Sequence, residues 1–248
     1  GFSMELWAEN MGAYTVGFIS PTGEVAREIS VPLRGENTVS FLLEQTQITV
    51  YTQIADVSSG SQFIFMRFEN PMSGIWRILI RNSLDIRETF HIWLPVRGFI
   101  SDETYFLRPD PDTTITDPGN ARYPITVTAY DHTKNSIYIH ASRGYSLSGR
   151  IKPDLAAPGV NILGASVSGR RLTRMSGTSV SAAHLAGAAA ILLNWGVLNA
   201  NYPYLNTPVL KSIFVRGEQR NPALTYPNRE FGYGTLNLYE AFLHLRNL

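Results

Sequence analysis

The chain has 248 residues, 44% of them hydrophobic, with 21 basic and 20 acidic side chains and a formal net charge of +1. That balance lacks the electrostatic footprint of a nucleic-acid or anionic-membrane binder, and the length allows one large domain or two small ones. Cysteine is absent, which excludes a disulfide framework and a thiolate metal site and leaves the redox compartment open. The longest apolar run, 185–193, is too short to span a bilayer. No signal peptide is visible, and Gly1 at the start reads as a cut from a longer polypeptide, although a cloning scar would look the same.

Residues 4–95 read as strands. Ile48, Val50, Thr52 and Ile54 alternate with Thr49, Tyr51 and Gln53, and Trp76, Ile78 and Ile80 alternate with Arg77, Leu79 and Arg81. Further short apolar runs lie at Met4–Trp7, Tyr14–Ile19, Val25–Val31, Val39–Leu43, Phe63–Phe68 and Phe90–Leu94. Turn residues separate them at Ser20–Gly23, Arg34–Asn37, Ser58–Gly60 and Asn70–Gly74. About eight short strands of period two at this spacing predict an antiparallel β-sandwich of jelly-roll type over residues 1–100. Trp76 and Trp93 fall in apolar strand patterns and are expected in its core.

The character changes over residues 100–122. Prolines 109, 111 and 118 sit among Asp110, Asp112 and Asp117, so helix is excluded. The three aspartates are hard oxygen donors, but they lack the spacing of an EF-hand loop. An ordered connector is the expected reading, with a calcium site left open. Strands follow at 125–130 and 136–141. Thr207 followed by Pro208 predicts a capped helix through Val215, ended by Gly217. Asn237 opens a closing helix in which Leu238, Phe242 and Leu245 share a face.

The rest of the chain is organised around residues 176–196. From Ser179 onward small residues dominate, with Ile191, Leu192, Leu193 and Trp195 towards the far end. A helix with almost no charge predicts burial on most sides. Ser179 falls at its N-terminal end, where free N–H groups and the macrodipole favour negative charge. As a single residue it reads as an ordinary N-cap.

Taken together, Gly177-Thr178-Ser179-Val180-Ser181-Ala182-Ala183-His184-Leu185-Ala186-Gly187 resembles the nucleophile block of the subtilisin-like serine proteases. Upstream, Lys152-Pro153-Asp154-Leu155-Ala156-Ala157-Pro158-Gly159-Val160 resembles the strand and turn that precede it in that family. Downstream, Gly232-Tyr233-Gly234-Thr235-Leu236-Asn237 resembles the family's last turn before a closing helix. The resemblance covers about residues 105–248. It implies the C-terminal half of an α/β subtilisin-like domain over 101–248, following the β-sandwich. Its implied roles are Ser179 as nucleophile, Thr178 and Gly177 supporting the oxyanion site, and Met175 and Ser176 lining the leaving-group side. Gly177 is expected to permit close backbone approach.

Acyl transfer also needs a base within hydrogen-bond reach of the serine and a group to orient that base. The family's Asp and His blocks and its oxyanion Asn come before the serine, and none is found here. The five histidines (91, 132, 140, 184 and 244) lie in strands, a turn and helix surfaces, and none is expected to be the base. The resemblance therefore implies the C-terminal segment of a serine endopeptidase, inactive alone, with a jelly roll inserted ahead of the serine-bearing part. This layout is similar to the clostridial Csp-type proteases of spore germination, which implies a bacterial, spore-associated or secreted setting. The implied partners are a protein or peptide substrate and the missing N-terminal half of the catalytic domain. Two other readings stay open: a pseudoprotease platform, and a jelly-roll module binding glycan or protein through Trp7, Trp76 or Trp93.

Overall fold

The computed structural model describes residues 1–8, 14–29, 34–53, 60–83, 89–167, 169 and 171–245. Two compact units emerge, Gly1–Arg108 and Pro109–Leu248. The division falls inside the Pro- and Asp-rich stretch.

The first unit is all β: β1 (Phe2–Ala8), β2 (Tyr14–Ile19), β3 (Val25–Ile29), β4 (Arg34–Phe41), β5 (Thr46–Gln53), β6 (Gln62–Glu69), β7 (Arg77–Asn82) and β8 (Phe90–Trp93). They form a five-stranded sheet, β4-β5-β6-β1-β8, and a three-stranded sheet, β3-β2-β7, with every pairing antiparallel. Alternate residues of both sheets enter one apolar core: Leu6 from β1, Val16 and Phe18 from β2, Ile48 and Val50 from β5, Ile64 and Met66 from β6. Period-two alternation puts one side of each strand inward, so a single core can close between the sheets. Gln62 ties the two sheets inside that core. Its side chain accepts from the Tyr14 N–H and donates to the Tyr14 carbonyl, both at 2.8 Å.

Three expectations for this unit are corrected. Arg34–Asn37 is strand, paired residue for residue with β5; the reversal comes at residues 42–45, where Gln45 takes a positive φ of 52°. Leu42 and Leu43 are therefore exposed at a turn rather than paired. Trp76 precedes its strand but does reach the core, edge-on to Phe41 and Phe68. Trp93 does not. It pairs with Glu5 on the face opposite Leu6, and 37% of it is exposed. Val31, Ile54, Ser58 and Ser59, used in the strand and turn reading, lie outside the described residues.

The second unit carries β9 (Val127–Asp131), β10 (Ser136–Ile137) and β11 (Leu155–Pro158), with β11 parallel to β9. A hairpin of β12 (Ile162–Ala165) and β13 (Leu172–Met175) leads into helix α1 (Thr178–Leu193). Helices α2 (Thr207–Arg216) and α3 (Leu238–Leu245) follow. Ala156 donates to the Gly234 carbonyl at 2.9 Å and accepts from Leu236 at 2.8 Å, so the segment 234–236 lies beside β11. The core joins Leu155 to Leu185, Ala188 and Leu192 of α1, Leu210 and Phe214 of α2, and Ala241 of α3.

The α2 cap is Asn206 rather than Thr207. Its Oδ1 accepts from the Val209 N–H at 3.2 Å, with Pro208 one residue further into the first turn. Asn237 caps α3 the same way, accepting from Glu240 at 3.1 Å.

Helix α1 corrects a larger expectation. Its buried residues are Ser181, Leu185, Ala188 and Leu192, one strip at spacings of four, three and four. Ala182, Ala183, Ala186, Gly187, Ala190 and Ile191 face outward. The helix continues through a π turn, closed by the Asn199 N–H on the Asn194 carbonyl at 3.0 Å. The stretch Thr178–Leu198 is 21 residues and holds an 18-residue window of mean hydropathy 1.4, so by length and composition alone it could cross a membrane. The apolar run counted from sequence at 185–193 understated it. Packing of its strip against β9 and β11 is that of a core helix with one side covered.

Candidate active site

Three backbone segments converge on the start of α1. The turn after β11 brings Gly159 against Gly177, whose N–H donates to the Gly159 carbonyl at 2.8 Å. Gly159 in turn donates to the Tyr130 carbonyl at 3.1 Å, linking the helix entry to β9. At the fourth residue of the helix, the buried Ser181 hydroxyl donates to the Ala157 carbonyl at 2.9 Å and fastens the first turn to β11. A Cβ on Gly159 would stand 2.2 Å from Ser181 Oγ and 2.9 Å from the Gly177 carbonyl oxygen. Close approach is therefore the role of Gly159, not of Gly177, where a Cβ would meet only Ser179 N, at 3.9 Å. Gly177 is required by its backbone, with φ at 154°.

This frame leaves Ser179 exposed in the first turn. The first α1 residue to donate to the turn's own carbonyls is Val180, bonding Gly177 at 3.1 Å. The N–H groups of Thr178 and Ser179 precede it and belong to the unsatisfied helix start. No acidic side chain occupies the first turn, so the positive end of the dipole is not neutralised there. The hydroxyl thus stands beside backbone donors suited to a developing oxyanion. Among the described residues no side chain hydrogen-bonds to the Ser179 hydroxyl.

Among the described residues of the second unit no histidine hydrogen-bonds to it: His184 turns its Nδ1 to the Val180 carbonyl at 3.2 Å, His140 packs edge-on to Tyr138, and His244 lies on α3. In the first unit His91 stacks on Trp93. Ser176 accepts from the Asn161 N–H at 2.8 Å, and Arg174 donates to the Asn161 carbonyl at 2.9 Å, so the residues before the helix are braced by the turn that opens the β12–β13 hairpin. Met175 is exposed at the end of β13. Of the acidic connector residues, Asp110 accepts from the Asp112 N–H at 2.9 Å and Asp112 pairs with Arg229 at 3.3 Å. Among the described residues no group of three or more His, Asp or Glu side chains is placed to hold a metal ion.

A buried charge cluster lies just ahead of β11. Lys152 Nζ donates to the Pro124 carbonyl (2.7 Å), Thr126 Oγ1 (3.0 Å) and Asp154 Oδ2 (2.9 Å). The other Asp154 oxygen pairs with Lys211 of α2, and the Thr126 N–H donates to Oδ2 at 2.7 Å. Burial holds Lys152 below the usual lysine range, against the pull of Asp154. Glu218, just past α2, has both carboxylate oxygens buried and without a hydrogen-bond partner. Burial pushes it up to about 9, with Asp154 adding and Arg220 opposing. Sequence reasoning quoted Lys152, Asp154, Gly159 and Ser181 within the family-like blocks without giving them a role, and passed over Asn161, Lys211 and Glu218. The one available signal was charge placed inside the apolar 152–160 block.

The model of the subtilase family matches residues 107–234. The chain belongs to the subtilase family. It is 42% identical over 96 residues to the C5a peptidase of Streptococcus pyogenes, an alignment covering 38% of this chain and 8% of that protein. It is 35% identical over 103 residues to the serine protease AprX of Bacillus subtilis, covering 34% of this chain and 23% of that one. Among solved structures it is similar to the CspB protease of Clostridium perfringens, with a TM-score of 0.85 and 29% identity over 99% of this chain and 53% of that one. The chain thus spans about half the length of that structure and much less of the curated relatives.

Proposed function

We propose that this chain is the serine-bearing segment of a subtilisin-like endopeptidase, in which Ser179 attacks the carbonyl of a protein or peptide substrate. The observation that carries the reading is the exposed Ser179 hydroxyl at an uncapped helix start, fixed by the Gly159–Gly177 and Ser181–Ala157 contacts. The Ser179 N–H, supported by Thr178 and Gly177, holds part of the oxyanion. Met175 and Ser176 border the leaving group. The base, the carboxylate that orients it and a second oxyanion donor come from outside these 248 residues. The uncovered side of α1, with Ile191 at 52% exposure, is the seat for the half of the domain that carries them. Residues 1–100 form a jelly-roll-like insertion, and residues 101–248 the C-terminal part of the catalytic domain.

The test is hydrolysis of an unstructured protein by the native polypeptide and by this chain. The reading predicts cleavage by a native polypeptide of mass well above 27.6 kDa, its loss in Ser179→Ala, and none by the isolated chain. In subtilisin itself, loss of the serine or the histidine costs about 10⁶ in kcat. A native mass near 27.6 kDa with no copurifying partner would sink the proposal.

One observation favours a second reading for residues 1–100. Trp93 is exposed and stacked on His91, next to Trp7, Phe63 and Phe65 on the outward side of the five-stranded sheet. Aromatic rings on a flat sheet face suit a glycan. Retention on immobilised glycan that disappears in Trp93→Ala would establish that module.

A further inference from the structure

Helices α2 and α3 enclose a groove that the proposed chemistry does not use. Its volume is about 340 Å³, and its floor is aliphatic: Val209 and Ile213 from α2, Ala241 and Leu245 from α3. Ser212 and Tyr202 bring hydroxyls to the lining, and Arg216 and His244 bring nitrogen donors. Among the described residues no acidic side chain lines it. Among the described residues neither Arg216 nor His244 takes part in an ion pair. The Arg216 guanidinium is permanently charged and offers two parallel donors that match a carboxylate.

Size selects the occupant. The volume sits at the lower end of the ~300–1,000 Å³ found for small-molecule sites. At the ~30 Å³ that one water takes up in the liquid, it has room for about eleven groups of that size. A stable protein partner would need on the order of 800 Å² of contact on its side, more than a groove between a ten-residue and an eight-residue helix provides.

We propose that the α2–α3 groove binds an aliphatic monocarboxylate of about ten carbons, its chain on the Val209–Ile213–Ala241–Leu245 floor and its carboxylate on Arg216. The site is independent of Ser179 and does not require the peptidase reading. Burying the chain of such a ligand supplies the drive, and the guanidinium selects the anion.

Decanoate is the probe, added to the native protein well below its micelle concentration and followed by calorimetry and by the resonances of the floor methyl groups. Saturable one-to-one binding is expected, with decanol at least tenfold weaker. Arg216→Glu, at an exposed position that leaves the fold intact, is expected to weaken decanoate at least tenfold and to leave decanol unchanged. Ser212→Trp fills the groove and is expected to abolish both. The proposal is overturned if decanoate does not saturate, if decanol binds as tightly, or if Ser212→Trp binds decanoate like the parent.

Discussion

The two units solve the problem of apolar surface differently. In the first, alternate residues of two antiparallel sheets meet in one core from Met4 to Phe68, and Leu6, Phe18, Ile48 and Met66 are fully or almost fully inaccessible. In the second, the central helix buries Ser181, Leu185, Ala188 and Leu192 and leaves its other sides to solvent. A two-sheet core is closed by the residues of its own strands. A helix between layers needs a neighbour on each side, and here one side is covered. The units should therefore respond to substitution independently, and the second should hold positions that are apolar yet tolerant.

The largest effect is expected at the buried charges. Asp154→Ala leaves the fully buried Lys152 without its carboxylate and removes the partner of Lys211. A loss of about 3–5 kcal/mol is expected, seen as an earlier denaturant transition of the second unit with that of the first unchanged. The reciprocal substitution, Phe68→Ala, opens the two-sheet core and should cost about 3–5 kcal/mol in the first unit alone. Movement of both transitions by either variant would break the comparison.

Glu218→Gln acts in the opposite direction and depends on pH. The folded-state value near 9 lies above the usual 4.5, so the folded chain binds more protons than the unfolded one between those values. The stability tied to this proton is fully present below pH 4.5 and is lost as pH rises through 9. The amide variant should be more stable at pH 8, and its melting temperature should vary less from pH 5 to pH 9. An unchanged pH slope would show that Glu218 is not protonated in the fold.

Gly159→Ala is expected to cost about 1–3 kcal/mol, because its methyl group enters the space of Ser181 Oγ and the Gly177 carbonyl. It should also slow acylation in the native polypeptide at unchanged KM, since the helix start is displaced. Ile191→Asp marks the smallest effect. On the uncovered side of α1 it should leave the stability of this chain within about 0.5 kcal/mol, while preventing the native polypeptide from cleaving substrate.

Much of this was legible in the residues. A short apolar run between turn residues located Tyr14–Ile19 to the residue, and the small-residue block after Gly177 located α1, with Ser179 in its first turn. Local signals failed where two neighbours carry the same chemistry, as at Asn206 and Thr207, either of which can cap a helix. They failed also where a strand has no alternation to show. Ile162–Ala165 contains a glycine and Leu172–Met175 an arginine, so the hairpin that braces Ser176 was not visible. Glu218-Gln219-Arg220 reads as a solvated run, and only the packing around it makes the glutamate a buried acid. Trp93 looked like core because its strand is apolar on both sides, and register alone turned it outward.

The central claim is that Ser179 is a nucleophile held in place without its base. The most direct measurement is labelling by a serine-directed phosphonate, with the modified peptide identified by mass spectrometry, on the native polypeptide and on this chain alone. Ser179 should be modified in the native polypeptide and remain free in the isolated chain. Equal labelling of the two would place an activating base within these 248 residues and contradict the account.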